Sequence, residues 1–261
     1  MTTNAIKHHF SKDGSSTLYS ENFQQYYHNP NGAVSESQHI FFDIPGLTDR
    51  ILAKNDTPLS ILEIGFGTGL NFLLLLDKYL SANSTRTIHF STVEAFPISG
   101  EFAKKLNFQE FLNNDQLLPF LTHVFHSLEN GTNTFKNVLG TNVRLDVFYG
   151  LFESLEEVSE AADFVFHDAF SPEVNPELWS IPTFEKIALF CKKDCILSTY
   201  GAASKARAAL AKAGWYIAKA PGALGKREMT IASLTSSNLK GFTRLNEERL
   251  INRFDKGDFG N

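Results

Sequence analysis

The sequence predicts an α/β fold: a mostly parallel sheet with packed helices, a small β-rich N-terminal lead-in and an antiparallel C-terminal hairpin. A short apolar run at residues 59–64 leads through a glycine-rich turn into a helical pattern, as at the start of a nucleotide-binding α/β unit. Further short apolar stretches at 87–94, 143–149 and 164–166 alternate with helical segments. The 261 residues, 43% of them hydrophobic, suffice for one substantial core.

The first 45 residues contain short aromatic and β-rich pieces separated by turn signals such as Asp13-Gly14 and Asn31-Gly32. They predict a hairpin-like lead-in that packs on the core, in which residues 32–37 form a simple turn. A helix through 46–54 then leads to the first central strand. The expected organisation is a lead-in over 1–45, a main domain over 46–235 and a tail over 236–261.

Three glycines, Gly65, Gly67 and Gly69, follow the first central strand at alternate positions. A ligand can approach the backbone there because no Cβ intervenes, and the following helix directs its first N–H groups at that place. The spacing lacks the third glycine or alanine of the dinucleotide fingerprint. With the acidic Glu63 inside the strand, the turn is closer to that of S-adenosylmethionine (SAM) methyltransferases.

The second predicted strand, 87–93, ends in Glu94. A carboxylate at this position can accept hydrogen bonds from both ribose hydroxyls of a nucleotide. Glu94 lies 25 residues beyond Gly69, near the separation of about 20 that the ribose-binding acid shows in dinucleotide folds. The alternative is an ordinary exposed acid at a strand end.

The third predicted strand, 143–149, is followed by an expected acidic helix with the sequence FESLEEVSEAA. In this topology the junction between them lies near the adenine of a bound nucleotide. Tyr149 and Gly150 are therefore candidates to line the adenine pocket, although Tyr149 could equally belong to the core.

The stretch ADFVFHDAFSP, residues 162–172, predicts a short buried strand with polar residues at its carboxyl end. Ligands of open α/β sheets bind outside such ends, so Asp168 and Phe170 are active-site candidates. The alternative for Asp168 is a local Asx turn. His167 could belong to the site, but the strand end favours a structural hydrogen-bonding role.

Beyond this stretch we expect a helix to 190, a strand at 195–200 and an alanine-rich helix at 204–213 that Gly214 terminates. The segments WYIAKA and MTIASL predict the antiparallel hairpin, joined by the loop PGALGKRE. The polar tail predicts a surface helix followed by a frayed end.

Charge is distributed unevenly along the chain, whose net charge is −5. Residues 186–227 hold nine Lys or Arg and one acid, Asp194, so this segment is +8 and the rest is −13. Either these cations are solvated charges on helix faces and loops, or they form a basic surface for a polyanion such as a nucleic acid.

Several classes of protein are not expected. No apolar run of about 18 residues is present, so no membrane span is predicted. The N-terminus lacks the apolar stretch of a signal peptide, and the expected location is cytoplasmic. Cys191 and Cys195 have no second Cys/His pair at zinc spacing, so reduced thiols are expected and no metal site.

The candidate residues suit methyl transfer from SAM to an amine, which needs no metal because the sulfonium already activates the methyl group. An alkyl amine is mostly protonated near pH 7, and its nitrogen must be neutral to react. A nearby carboxylate can orient the amine, accept a proton and offset the charge of the product. Asp168 is the candidate for this work, with Phe170 excluding water.

Five pieces, in order, carry a family resemblance: ILEIGFGTGLNFLLLL, VEAFP, FHDAFSPEVNPELW, LSTYGAASKARAALAKAGW and GALGKREM. Over roughly residues 18 to 234 the chain resembles the methyltransferase part of the MnmC/MnmD family. The resemblance implies a Rossmann-like class I SAM-dependent methyltransferase. It also implies conversion of 5-aminomethyl-2-thiouridine at the tRNA wobble position to its methylaminomethyl form.

Carried onto this chain, the resemblance implies functional residues of three kinds. The catalytic candidates are Asp168 and Phe170. With the positions argued above, the SAM candidates are Glu63, Gly65, Phe66, Gly67, Gly69, Asn71, Glu94, Tyr149, Gly150 and Asp168. The tRNA candidates are Lys226, Arg227 and Glu36, where the two cations are otherwise solvated charges and Glu36 could instead close the SAM pocket.

Many relatives are fused to a flavin-dependent oxidoreductase that has no counterpart here, so the stand-alone form is expected. Two other functions remain open. One is a class I methyltransferase acting on a small-molecule or protein amine. The other is a non-catalytic nucleotide-binding or RNA-binding module.

Overall fold

The computed structural model describes residues 6–259, which form a large mixed sheet, a small antiparallel sheet and surrounding helices. The strands are β1 (Ile6–Phe10), β2 (Ser16–Ser20), β3 (Gln25–Tyr26), β4 (Leu59–Ile64), β5 (Ile88–Glu94), β6 (Gly131–Phe135), β7 (Val143–Tyr149), β8 (Ala162–His167), β9 (Cys191–Thr199), β10 (Tyr216–Pro221), β11 (Glu228–Ser233) and β12 (Thr243–Arg244). The α-helices are α1 (Ala33–Ser37), α2 (Leu47–Leu52), α3 (Leu70–Ser81), α4 (Gly100–Ala103), α5 (Leu117–Ser127), α6 (Ile181–Leu189), α7 (Ser204–Lys212) and α8 (Glu247–Asp255).

The large sheet has the strand order β12-β10-β11-β9-β8-β4-β5-β7-β6. Its five central strands, β9 to β7 in that order, are parallel, and the strands at both edges pair antiparallel. The predicted α/β fold and its C-terminal hairpin, β10 with β11, are confirmed. The chain leaves β4 for β5 on one side and later adds β8 on the other, so the sheet has a switch point at β4 where ligands of such folds bind.

Two apolar layers cover the sheet and explain its central strands. All six residues of β4 are buried, as expected for a parallel strand covered on both faces. Helix α3 packs its leucine-rich surface into one layer. Trp215 and three alanines of α7, Ala206, Ala209 and Ala211, belong to the other. The turn that contains Gly65, Gly67 and Gly69, here called the glycine corner, therefore joins two buried elements, β4 and α3.

The lead-in forms the small sheet β1-β2-β3, which confirms its predicted β-rich character. The side chain of Asn107 ties it to the rest of the protein, since its Oδ1 accepts hydrogen bonds from both the N–H and the hydroxyl of Ser16, each at 2.7 Å. Residues 33–37 form helix α1, continued by a π-helical turn at Gln38–Asp43, so the prediction of a simple turn there was wrong.

The prediction of an acidic helix after β7 was also wrong. Only Phe152–Ser154 forms a short 3-10 turn, and the chain then runs irregularly to β8. Phe152 and Leu155 are buried, but the acids between and beyond them do not form the polar face of a helix. Lys186 Nζ donates hydrogen bonds to the carbonyls of Phe152 and Glu153, which holds the turn against α6.

Two strands were not predicted. β6 pairs antiparallel with β7 at one edge of the sheet, and β12 adds to β10 at the other. Within residues 6–259 no helix is both long enough and apolar enough to cross a membrane. In the same range no three His, Cys, Asp or Glu side chains are grouped as metal ligands would be. Cys191 and Cys195 are free thiols, as expected.

Candidate active site

A cavity of about 560 Å³ lies over the carboxyl ends of the central strands, next to the switch point at β4. Its size is within the range of small-molecule and cofactor sites. Of the sequence candidates, its lining contains Gly65, Phe66, Gly67, Asn71, Glu94, Gly150, Asp168 and Phe170. The structure therefore brings together most of the residues that the sequence assigned to a SAM site.

The glycines of the corner have different local roles. All three have positive φ, at +97° for Gly65, +55° for Gly67 and +75° for Gly69. A Cβ on Gly65 would lie 2.9 Å from the carbonyl oxygen of Asp168, so this glycine lets the ends of β4 and β8 approach. Gly67 lines the cavity, whereas Gly69 precedes α3 outside the lining.

Glu94, at the end of the neighbouring strand β5, contacts the glycine corner. Its carboxylate accepts hydrogen bonds from the N–H of Gly67 and the N–H of Phe96, both at 2.8 Å. Burial raises the pKa of Glu94, while these backbone donors lower it. The acid is thus fixed at the end of β5 and lines the cavity beside the glycine turn.

Glu63 lies beneath the cavity and not in its wall. It is 1% exposed, and its two oxygens accept hydrogen bonds from Asn71 Nδ2 at 2.9 Å and from the Thr92 hydroxyl at 2.8 Å. Burial raises its pKa well above the ordinary value, and the charge of Asp168 adds to this. Glu63 therefore supports Asn71 from below.

Asp168 stands at the carboxyl end of β8 and accepts a hydrogen bond from Asn71 Nδ2 at 2.9 Å. Its backbone N–H donates to the carbonyl of Ile64, which fixes it beside the end of β4. Burial and the Glu36 carboxylate raise the pKa of Asp168 well above its usual range, against the lowering by Asn71 and Lys226. A carboxylate with a raised pKa is suited to accept a proton near neutral pH.

A second cavity, of about 380 Å³, adjoins the first. The lead-in supplies Tyr26, Tyr27 and Glu36 to its wall, and the far side is formed by Tyr200 and Lys226. Asp168, Ala169 and Phe170 line both cavities. One short stretch after β8 is therefore the common wall between two adjoining cavities.

Packing and hydrogen bonds hold this common wall in place. The Phe170 ring lies 5.1 Å from the ring of Phe23 and 5.2 Å from that of Tyr27, between centroids. The Tyr200 hydroxyl donates to the carbonyl of Ala169 at 2.8 Å, and the Trp179 indole donates to the carbonyl of Phe170 at 2.7 Å. Its side chains are thus held at defined positions between the cavities.

Two sequence candidates have other positions. Tyr149 lies outside the linings of both cavities, where its backbone pairs with Glu94 and Gly131. His167 is fully buried against Trp179 and Phe184, and its Nε2 lies 2.8 Å from the Leu178 carbonyl. Burial lowers its pKa to about 4, so the neutral ring has the structural role favoured by the sequence.

Sequence reasoning missed several lining residues. Phe96 and Leu151, at the rim of the larger cavity, are 41% and 51% exposed. Tyr27, from the lead-in, lines both cavities, and no local pattern marks it. Tyr200 follows β9 at the same edge as Asp168, so the rule that ligands bind outside strand carboxyl ends could have identified it.

Most cations of the basic segment are paired within the protein. Lys226 Nζ lies 2.8 Å from Glu36 Oε1, inside the lining of the second cavity. The others with protein partners are Lys186, Lys192, Arg207, Lys212 and Lys219. Arg227 and Lys193 are exposed. The net charge of +8 in the sequence therefore overstates the free positive charge at the surface.

The residues of the larger cavity fit SAM. Gly67 presents backbone without a side chain, and Glu94 places a fixed carboxylate where a ribose diol can be bound. Phe96 and Leu151 are exposed apolar side chains that line this cavity, and they provide a surface for a flat base.

A family model described as an S-adenosyl-L-methionine-dependent methyltransferase matches residues 117–235, which include Asp168. With the strand order above, this match defines a Rossmann-like, class I SAM-dependent methyltransferase. Over most of its length the chain is similar to curated MnmC proteins.

Two of these relatives are called tRNA 5-methylaminomethyl-2-thiouridine biosynthesis bifunctional protein MnmC. That of Leptospira interrogans is 35% identical over 228 residues, or 86% of this chain and 35% of the relative. That of Campylobacter hominis is 34% identical over 215 residues, or 81% of this chain and 30% of the relative. The chain thus spans about a third of the length of these relatives.

Among solved structures, MnmC2 from Aquifex aeolicus matches with a TM-score of 0.72 and 24% sequence identity. The match covers 97% of this chain and 77% of that one. This likeness shows that the two chains share a fold, including the parts outside the family-model match.

Proposed function

We propose that this methyltransferase converts 5-aminomethyl-2-thiouridine to 5-methylaminomethyl-2-thiouridine at the wobble position of tRNA. The observation that carries the proposal is the wall from Asp168 to Phe170, which separates a cofactor-sized cavity from a smaller one lined by aromatic residues. The names of the MnmC relatives support this choice of substrate. A tRNA substrate would also place the enzyme in the cytoplasm.

The larger cavity is the proposed SAM site. When bound, SAM supplies a methyl group activated by its positively charged sulfur. Glu94 would hold the ribose hydroxyls and the Gly65–Gly67 turn would adjoin the methionine part, while Gly150 and Leu151 would flank the adenine. Asn71, in the lining, would fix the position of Asp168, and Glu63 would support Asn71 from beneath the cavity.

The smaller cavity is the proposed acceptor site. Its tyrosines, Tyr19, Tyr26, Tyr27 and Tyr200, together with Phe170, offer ring faces and edges for a base removed from its stack. Aromatic stacking contributes about 1–3 kcal/mol per base in complexes with single-stranded nucleic acid. A base held there presents its aminomethyl group to the Asp168 wall.

Asp168 prepares the amine for transfer. The amine enters mainly as an ammonium, and one proton passes to the Asp168 carboxylate, leaving a neutral nitrogen and a neutral carboxyl group. The raised pKa of Asp168 favours this exchange, because it brings the acid closer to the amine in proton affinity. Phe170, packed on Phe23 and Tyr27, keeps water from this part of the wall.

The docking of tRNA would use few free cations. Arg227, exposed on the loop between β10 and β11, lies next to Lys226 of the acceptor cavity and is the best-placed side chain for a phosphate. The pairing of most other cations favours the second candidate function, a class I methyltransferase acting on a small-molecule or protein amine.

Methyl incorporation distinguishes these functions. Labelled SAM is offered with three RNA anticodon stem-loops that carry 5-aminomethyl-2-thiouridine, 5-hydroxymethyl-2-thiouridine or uridine at the wobble position, and with simple alkyl amines. We expect incorporation into the aminomethyl RNA alone. Methylation of the free amines without the RNA would support the second candidate, and no incorporation into any acceptor would overturn the proposal.

A further inference from the structure

The acceptor cavity already contains a primary ammonium group that belongs to the protein. Lys226 Nζ lies 2.8 Å from Glu36 Oε1 and 5.2 Å from the centre of the Tyr200 ring. All three residues line the smaller cavity together with Asp168. An alkylammonium on a flexible stem thus occupies a place built from one carboxylate and one aromatic ring, a combination that recognises such cations.

The two partners of this ion pair are held very differently. Glu36 sits on α1 with its side chain 12% exposed, and its carboxylate also accepts hydrogen bonds from the Asn29 side chain at 3.0 Å and the Asn29 N–H at 3.3 Å. The Lys226 side chain is 43% exposed, on the loop between two strands. Glu36 is therefore a fixed anion, and Lys226 is a partner that can be exchanged.

The loop that carries Lys226 is seated against the lead-in. His39 Nε2 lies 2.8 Å from the Pro221 carbonyl at the start of the loop. Leu224 approaches so closely that a Cβ added to Gly32 would lie 3.0 Å from it. These contacts keep the ammonium of Lys226 at the cavity, where an acceptor must compete with it.

We propose, on the basis of the function above, that Glu36 binds the incoming amine as its ammonium form and that Lys226 holds this place until the acceptor displaces it. The exchange replaces one ammonium by another, so the charge of the cavity is unchanged. Two carboxylates, Glu36 and Asp168, then face the acceptor. The cavity would select a primary amine over a hydroxyl of the same shape and would reject an acceptor that carries its own carboxylate.

Binding of two matched RNAs tests the proposal. The stem-loops differ only in an aminomethyl or a hydroxymethyl group on the wobble base, and S-adenosylhomocysteine is present so that no transfer occurs. Wild-type protein should bind the aminomethyl RNA at least about tenfold more tightly, the range of a hydrogen bond to a charged group. Glu36→Gln should reduce this preference to less than about threefold, because the amide can form only a weaker, uncharged hydrogen bond with the amine.

Variants of Lys226 separate competition from direct contact. Lys226→Met should tighten binding of the aminomethyl RNA, because its competitor is gone, and should have no such effect in the Glu36→Gln background. Arg227→Met is the matched control and should weaken both RNAs equally. An unchanged preference in Glu36→Gln, or selectively weaker aminomethyl binding in Lys226→Met, would overturn the proposal.

A second measurement keeps this inference separate from the proposed function. The side-chain ammonium resonance of Lys226 in the intact protein, assigned by its loss in Lys226→Arg, is followed during titration with methylammonium chloride and with sodium chloride. A shift with methylammonium alone supports the exchange even if no RNA is methylated. An unmoved resonance overturns the exchange even if the aminomethyl RNA is a good substrate.

Discussion

The side-chain amide of Asn71 donates a hydrogen bond to the Asp168 carboxylate, with 2.9 Å between Nδ2 and Oδ2, at the wall common to both cavities. The same nitrogen donates to the buried Glu63 at 2.9 Å. Asn71 thus links a buried acid beneath the cavity to the acid that faces the acceptor. Both carboxyl groups have pKa values well above the ordinary range, chiefly because they are buried.

Asp168→Asn should lower turnover by about 10²- to 10⁴-fold, the usual contribution of a positioned acid or base. The amide cannot accept the proton of the amine, although it occupies the same volume. SAM affinity, measured by calorimetry, should change little, because the ribose and glycine contacts remain. A loss of turnover smaller than about threefold would contradict the role given to Asp168, because a positioned acid or base contributes about 10²- to 10⁴-fold.

Asn71→Leu should move the acidic limb of the pH–rate profile to higher pH. Asn71 lowers the pKa of Asp168, so loss of this donor raises that pKa further and the carboxylate is protonated at higher pH. Thr92→Val is the control, because Thr92 donates to Glu63 and not to Asp168. Equal displacement of the limb in both variants would show that the effect comes from Glu63.

Arg227→Glu should weaken tRNA binding and make it less dependent on salt, because a cation near the acceptor cavity is replaced by an anion. Lys193→Glu makes the same change at the opposite end of β9 from Tyr200 and should leave tRNA binding nearly unchanged. Titrations at several salt concentrations measure both effects. Equal losses in the two variants would indicate general electrostatic attraction rather than docking at the loop.

His167→Gln should flatten the dependence of stability on pH below neutrality. The pKa of His167 is lowered to about 4 in the folded protein and is near 6.5 in the unfolded chain. Its contribution to stability is therefore present above pH 6.5 and is lost as the pH falls toward 4, at about 1.4 kcal/mol per pH unit. Urea unfolding at a series of pH values should show the smaller slope in the variant, and equal slopes would contradict the buried neutral ring.

Gly65→Ala should destabilise the fold more than Gly131→Ala. Both glycines have similar positive φ, at +97° and +93°, so strain of about 1–2 kcal/mol is common to both variants. Only at Gly65 would the added Cβ meet backbone, 2.9 Å from the carbonyl oxygen of Asp168, whereas nothing lies within 4 Å at Gly131. Urea unfolding measures the difference, and equal losses would mean that the approach of β4 to β8 is readily relaxed.

Strong apolar patterning made the central sheet predictable. Residues 59–64 are all buried between the two layers, and four of the seven residues at 143–149 are buried, so both segments have the apolar pattern of sheet strands. β6 escaped prediction because every second residue of this edge strand is exposed and its others are only half-buried. The acids after Phe152 suggested a helix, but a single 3-10 turn is enough to bury the side chains of Phe152 and Leu155.

The candidate site was predicted where it depends on one strand end and not where it depends on distant segments. Glu94 and Asp168 follow strands whose carboxyl ends meet at one edge of the sheet, so the sequence could place them together. Glu36 and Lys226 are 190 residues apart, and only the folded chain shows that they form an ion pair. Counting charges along the sequence could not reveal such pairing.

The lead-in sheet has a consequence for the diversity of these enzymes. Tyr26, Tyr27 and Glu36 reach the smaller cavity from residues that precede β4, whereas the corner and Glu94 belong to the strands themselves. Phe23, Tyr27 and His28 of the lead-in also line the larger cavity. Chimeras that exchange the first 45 residues between homologues should therefore transplant acceptor preference and change the affinity for the methyl donor to a smaller extent.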